Sequence, residues 1–328
     1  MRLPASFRTP YFGFALFSLV LLVFPLAITN RYHLNVLIFI GIHSIIAIGL
    51  DLLVGYTGQI SLGHAAFFGM GAYITGILSA RWSWPPIAGL AVAVLGVGAV
   101  AYVIGVPTLK LHGHYLAMAT LGFGIIVFIF FNELVPLTGG PSGLTGIGKM
   151  SLFGYGFDSE LKYYYLVCAA LLFTLLLSIN VVSSRVGRAL KAIHGSEVAS
   201  SVLGVNVPRF KVAVFVLSAV YAAIAGWLFS HYITFIAPSS FGFLFSIKLI
   251  TMVVIGSLGS IWGGIFGAAL LTSLPEILHV FRNYETTVFG LILITVMIFM
   301  PKGLLRGLED LVVSVFRSSG DQEAEKGT

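Results

Sequence analysis

Long apolar runs, separated by short polar stretches, set the pattern of this chain from near its start to about residue 300. Residues 11–27 and 288–300 are dominated by Leu, Val, Ile and Phe, with no alternation of apolar and polar positions. A helix needs about 20 apolar residues to cross a hydrocarbon layer roughly 30 Å thick. By that measure the candidate spans are 10–29, 34–54, 62–80, 86–106, 115–136, 162–183, 210–233, 243–258, 262–280 and 286–300. Lipid offers backbone groups no hydrogen-bond partner, so a spanning chain is either helical or a closed barrel. Barrel strands would show as alternating segments of roughly ten residues. The runs here are longer and continuous. The reading is an all-α polytopic membrane protein of about ten transmembrane helices, some of them interrupted or re-entrant.

Composition agrees. The 328 residues are 58% hydrophobic and only 9% charged, with a mean hydropathy of +1.01. A soluble domain carries about a quarter charged residues, so a soluble chain of this length would leave its surface uncovered. The net charge of +6 would suggest nucleic acid in a soluble protein; in a membrane protein it sets orientation, and no nucleic-acid partner follows. Between the sixth and seventh spans, Arg185, Arg188, Lys191, Arg209 and Lys211 stand against the acid Glu197, whereas 137–161 holds Lys149 against Asp158 and Glu160. The positive-inside rule places the first segment in the cytoplasm and the second outside. Counting spans from either loop then puts Arg2 and Arg8, and Lys302 and Arg306, inside as well. Both termini are expected in the cytoplasm. Residues 1–310 are read as the transmembrane domain with a cytoplasmic loop at 184–209, and 311–328 as a cytoplasmic tail whose end is expected to be disordered. The first apolar run is longer than a signal-peptide core and lacks a small-x-small cleavage site, so an uncleaved span is expected. The single cysteine, Cys168, lies in an apolar run and excludes an internal disulfide framework.

Two segments break the apolar pattern with glycine. Gly55-Tyr-Thr-Gly58-Gln-Ile-Ser-Leu-Gly63 and Gly256-Ser-Leu-Gly259-Ser-Ile-Trp-Gly263-Gly264 share the spacing G-x-x-G-x-x-x-x-G, and each opens onto a run rich in small residues. Transporters often repeat interrupted helices at corresponding points; with 38 glycines in the chain, chance gives the same match. The first segment also offers Thr57, Gln59, Ser61 and His64. It reads either as the border of a translocation path, where non-helical backbone is tolerated at membrane depth, or as a tight turn for helix packing. Segment 184–208 is too polar to span, yet Val186, Leu190 and Ile193 recur at helical spacing. Ser196 is placed to cap a second short helix beginning at Glu197, with Gly204 and Pro208 supplying its stop. Such an amphipathic loop suits docking into a groove on a soluble partner; the plainer reading is a loop at the lipid headgroups.

At this loop the chain resembles a known family. Glu197-x-Ala199, followed by Gly204 and Pro208, is similar to the cytoplasmic coupling-loop signature of ABC importer permeases, and Arg185-x-Gly187-Arg188-Ala189 resembles the permeases for branched-chain amino acids. Gly55–Phe67, Ala119-Thr120-Leu-Gly-Phe-Gly124, Leu137-Thr-Gly-Gly-Pro-Ser-Gly143 and the motif from Gly256 to Gly263 match that family in its order. The closest resemblance is to the M-type partner of paired H- and M-type permeases. It implies a heteromeric importer: two permease chains forming the path, two cytoplasmic ATPases driving it, and a periplasmic binding protein delivering the solute at the bacterial inner membrane. The expected ATPase-coupling residues are then Gly187, Arg188, Glu197, Ala199, Gly204 and Pro208. The candidate pathway or gate residues are Gly58, Gln59, Ser61, His64, Thr120, Gly256 and Gly259. The chain has no G-x-x-x-x-G-K-[ST] and so no P-loop; no cofactor is expected in it, and ATP belongs to partner subunits. The chain departs from the family at Ile125, where a glutamate is frequent, and at Lys248, where an acid is. The importer reading therefore names branched-chain or related small amino acids, with urea, short amides or another small polar solute as the alternative.

Ionisable groups within apolar runs cost roughly 2.5–3.5 kcal/mol each at a helix centre. Asp51, Glu133, Lys248 and Glu276 are the charged cases, with His43, His64 and His231 beside them. Asp51 and Lys248 precede their glycine motifs by similar intervals and are candidates for an intramembrane pair. Thr138–Gly143 reads as an outside loop facing a binding protein, or as a flexible connector. His112 and His114 beside Lys110 lack a Cys or acid at ligand spacing, so no metal site is expected. With no H-E-x-x-H and no carboxylate pair, an intramembrane enzyme is disfavoured. A secondary carrier or channel working without an ATPase is the remaining competitor.

Overall fold

The computed structural model describes residues 10–27, 30–152 and 154–278, with Thr287, Gly290, Leu291 and Ile294 beyond them. The candidate span 286–300, but for those four positions, and the tail 311–328 lie outside the described residues. Within them the apolar runs form helices α1 (Pro10–Ala27), α2 (Arg31–Thr57), α3 (His64–Trp82), α4 (Pro86–Thr108), α5 (His114–Glu133), a single turn α6 (Val135–Thr138), α7 (Glu160–Ser183), α8 (Arg185–Gly195), α9 (Glu197–Val202), α10 (Val207–Ile233), α11 (Phe243–Gly256) and α12 (Ile261–Leu278). A two-stranded hairpin, β1 (Ser151–Leu152) with β2 (Tyr155–Gly156), sits in the loop between α6 and α7.

Every candidate span from 10–29 to 262–280 therefore holds a helix. Fewer of these helices are long and apolar enough to cross a membrane by themselves. Among the described residues six segments meet that measure: α2, α4, α5, α7, α10 and Pro238–Gly256, the last joining a 3-10 turn to α11. Of the ten expected spans, six are supported by this measure among the described residues. The physical reason shows best in α3, whose Gly, Ala and Thr positions face protein rather than lipid and so need not be strongly apolar. Gly71 of α3 lies against the Ala223 backbone of α10, and a Cβ on Gly226 would strike the α3 carbonyl of Phe68. Backbone approach of this kind is how small residues hold membrane helices together.

Helices α2, α3 and α10 form the centre, with α4, α7, α11 and α12 around them. Polar side chains stitch the layers. Thr75 Oγ1 lies 3.0 Å from Ser230 Oγ, Trp227 Nε1 donates to Pro86 O at 2.9 Å, and His43 Nδ1 sits 2.8 Å from Thr272 Oγ1. Along its length α12 runs antiparallel to α2: Gly264 packs on Ala47, Thr272 reaches His43, and Glu276 accepts from Tyr32 Oη. The loop after α5 folds back on the loop after α10 through paired backbone hydrogen bonds between Leu144 and Ile236, 2.8 and 3.1 Å. His231 Nδ1 reaches Gly148 O there at 2.8 Å. These loops close the face opposite α8 and α9.

Candidate functional site

The two glycine motifs are both helix breaks, and they touch. Gly58 ends α2 in the left-handed region at φ +70°; its N–H donates to the Val54 carbonyl at 3.0 Å, and the Gln59 N–H donates to the Leu53 carbonyl at 3.3 Å. Gly259 takes φ +71° between α11 and α12, the equivalent place in its motif. Gly55 carries no side chain because a Cβ would land on the Asp51 carboxylate and on the Gly259 backbone. Asp51 Oδ1 accepts the Gly259 N–H at 2.8 Å. Asp51 thus serves the second motif, while Lys248, half-buried, lies near His43.

The first break climbs back into the bilayer. Gly58 lies beside the His194 ring of α8, with 3.4 Å between Nδ1 and the Cβ position. Six residues on, His64 Nε2 is 2.7 Å from Ser218 Oγ, and Ser218 packs on Gly49 of α2. Gly49 precedes Thr57 by eight residues, a rise of about 12 Å along the helix. Residues 59–63 thus form non-helical backbone at membrane depth, which is tolerated where protein surrounds it or a cavity lies beside it. Here both hold. The Leu62 N–H donates to Thr120 Oγ1 at 3.0 Å, Ala65 N donates to Ser246 Oγ at 3.3 Å, and Ser61 Oγ is 3.0 Å from His64 Nδ1. A cavity of about 110 Å³ opens between Leu62, Ala65, Gly124 and Ser246. Gln59 is buried, and neither end of its amide has a hydrogen-bond partner among the described residues.

Of the candidate gate residues, Ser61, His64 and Thr120 share this network, Gln59 lies at its lower end, and Gly58, Gly256 and Gly259 form the turns that fix it. Ser218 and Ser246 were missed, being ordinary serines in apolar helices 154 and 181 residues from their partners.

The second element is the helical pair on the basic face. Ser184 caps α8 through Val186 N, and Ser196 caps α9 by accepting from Ala199 N at 3.2 Å. Gly187, Leu190 and Ile193 form the buried stripe of α8; Val186 faces out, one position off the spacing read from sequence. Gly187 is required because a Cβ would meet the Val182 carbonyl. Gly204, at φ +83°, follows the last turn of α9. Pro208 does not help to end α9. It sits in the first turn of α10, where a missing N–H costs nothing.

Glu197 bridges three segments. It pairs with Lys211 of α10 and lies 3.1 Å from His112 Nε2 in the α4–α5 connection. Lys211 is only 2% exposed, so its charge depends on Glu197 and on the Leu109 carbonyl at 3.4 Å. His112 is therefore a carboxylate partner here, and Lys211 a residue the sequence reading used only for orientation. Around this bridge α9 leaves Val198, Val202 and Leu203 at 75%, 82% and 80% exposure. Arg188 of the predicted coupling set is exposed on α8, and Ala199 is exposed on α9.

The chain thus has a buried polar break in a helical bundle and a capped helical pair on its basic face, and comparison with known sequences supplies the family. The family described as "Branched-chain amino acid transport system / permease component" matches residues 32–300. The chain belongs to that family. It is 33% identical over 321 residues to the high-affinity branched-chain amino acid transport system permease protein LivM of Salmonella typhimurium, covering 88% of this chain and 74% of the relative. The Escherichia coli K12 LivM is 34% identical over the same shares. LivH of Salmonella typhimurium is 28% identical over 80% of this chain and 91% of its own length. The autoinducer 2 import system permease protein LsrC of Salmonella paratyphi B is 28% identical over 87% and 84%. No solved structure matches. The branched-chain permease family thus accounts for the helical membrane domain, and the protein is a multi-pass inner-membrane protein.

Proposed function

We propose that this permease is the M-type subunit of an ATP-driven importer that carries leucine, isoleucine, valine or related small amino acids from periplasm to cytoplasm by alternating access. Its partners would be an H-type permease, two cytoplasmic ATPases and a periplasmic binding protein. The observation that carries the reading is the exposed apolar stripe of α9. Val198, Val202 and Leu203 are exposed on and just after a short helix whose base is tied into the bundle by Glu197. Apolar side chains grouped on a polar, basic segment mark a docking surface, and a rigid base lets a docked motor move the helices behind it. Gly187, Arg188, Glu197, Ala199, Gly204 and Pro208 would then be the coupling set, and both termini would share the cytoplasmic face. The break 58–64 would be the inner gate: Gln59 offers an amide with both ends open, and Ser61, His64 and Thr120 hold the backbone around it. The substrate class rests on the relatives' names. The LsrC likeness and the Ile125 and Lys248 departures keep a different small polar solute as the second reading.

The test is uptake of radiolabelled leucine into vesicles holding the permease pair, the ATPases and the binding protein. ATP-dependent uptake is expected, abolished together with ATPase co-purification by V198S/V202S/L203S. Undiminished uptake without the ATPase would favour a secondary carrier. Competition by urea but not by isoleucine would move the substrate to the short amides.

A further inference from the structure

A second cavity lies away from the break, between the end of α4, the start of α10 and α9. It has a volume of about 880 Å³, and its surface is mostly apolar. The walls come from Tyr102 and Val106 of α4 and Val212 and Val216 of α10, and the rim carries Lys110 and Arg209. Lys211 and His112 also face it, but both are engaged by Glu197, the acid in this cleft. Lys110 and Arg209 form no ion pair among the described residues. The rim therefore has an unanswered positive charge of two, directly above an apolar groove.

We propose that this cleft binds one anionic phospholipid, its phosphate on Lys110 and Arg209 and an acyl chain along Tyr102, Val106, Val212 and Val216. The charge identifies a phosphate, and the walls identify its source. Tyr102 and Val106 are at the hydrocarbon-facing surface, 59% and 41% exposed, so a soluble anion would leave the groove below the rim unfilled. Basic pockets between membrane helices hold anionic headgroups by this combination of charge and apolar lining. The site rests on the membrane placement of α4 and α10 and not on the substrate assigned to the permease. Because the rim shares Glu197 with α9, a bound lipid would sit against the base of the docking helix.

The full chain in nanodiscs, released for native mass spectrometry, tests this. In equal mixtures of phosphatidylglycerol and phosphatidylcholine, one phosphatidylglycerol is expected to be retained, with at least tenfold preference. K110A/R209A should remove the preference. V106W, which fills the groove and leaves all charge in place, should reduce retention of both lipids at this site. R185A/R188A, removing two cations on the same face outside the cleft, should leave the preference intact; equal loss there would show unspecific surface attraction and overturn the site. Retention unchanged in K110A/R209A would also overturn it. Displacement of the lipid by millimolar inorganic phosphate would reassign the rim to a free anion and end the lipid proposal.

Discussion

Gly55 shows how a single missing methyl group sets the geometry of the break. Its replacement by alanine would press on the Gly259 backbone and on the Asp51 carboxylate, which its hydrogen bond to Gly259 holds in place. G55A is expected to cost about 1–3 kcal/mol through overpacking, seen as a lower thermal midpoint of the purified permease. G122A, on α5 with nothing within 4 Å of its Cβ position, should instead hold or raise the midpoint, since alanine is favoured over glycine in a helix by about 1 kcal/mol. H64A takes a buried imidazole away from both of its hydrogen-bond partners, Ser61 and Ser218. A loss of about 1–3 kcal/mol is expected from the polar groups left unsatisfied, with uptake falling more than membrane yield. The residue types at these positions were legible in the sequence, because glycine spacing and polar side chains interrupt apolar runs visibly. Their partners were not. Asp51 and Gly259 are separated by 208 residues, and local periodicity carries no information on such a pairing.

At the level of elements, α8 and α9 show what capping chemistry reveals and what it conceals. Ser196 before Glu197 announced a helix start, and the structure has one there. Pro208 was ambiguous because proline both follows helices and opens them; α10 claims it. The fixing of α9 through Lys211 was hidden, since a lysine near a span end ordinarily signals orientation alone. Lys211→Ala should loosen α9 by about 1–2 kcal/mol, read as faster amide hydrogen exchange across residues 197–204 with α10 unchanged. Lys211→Met combined with Glu197→Gln should recover part of that loss, because no buried charge is then stranded. Equal exchange in all variants would show that the ion pair does not hold the helix.

For the whole molecule, the apolar runs located the helices well, and among the described residues six of them are long and apolar enough to cross a membrane on their own. Hydropathy measures contact with lipid, and α3 is instead packed chiefly against α10 and α4. The buried Cys168 makes the native permease nearly silent to aqueous thiol reagents, so introduced cysteines can be read without further engineering. A cysteine at Gln59 is expected to react at a rate that changes when ATP turns over, while one at Leu50, fully buried in α2, stays unreactive throughout. Uniform protection at position 59 would remove the break from the path. The contacts of α2 with α12 and the turn before it are spread from Asp51–Gly259 through His43–Thr272 to Tyr32–Glu276. Fastened at three heights, these two helices cannot slide past one another without breaking every tie at once. Any rocking during a transport cycle is therefore expected to carry them as one lever, with the bending taken up outside this pair.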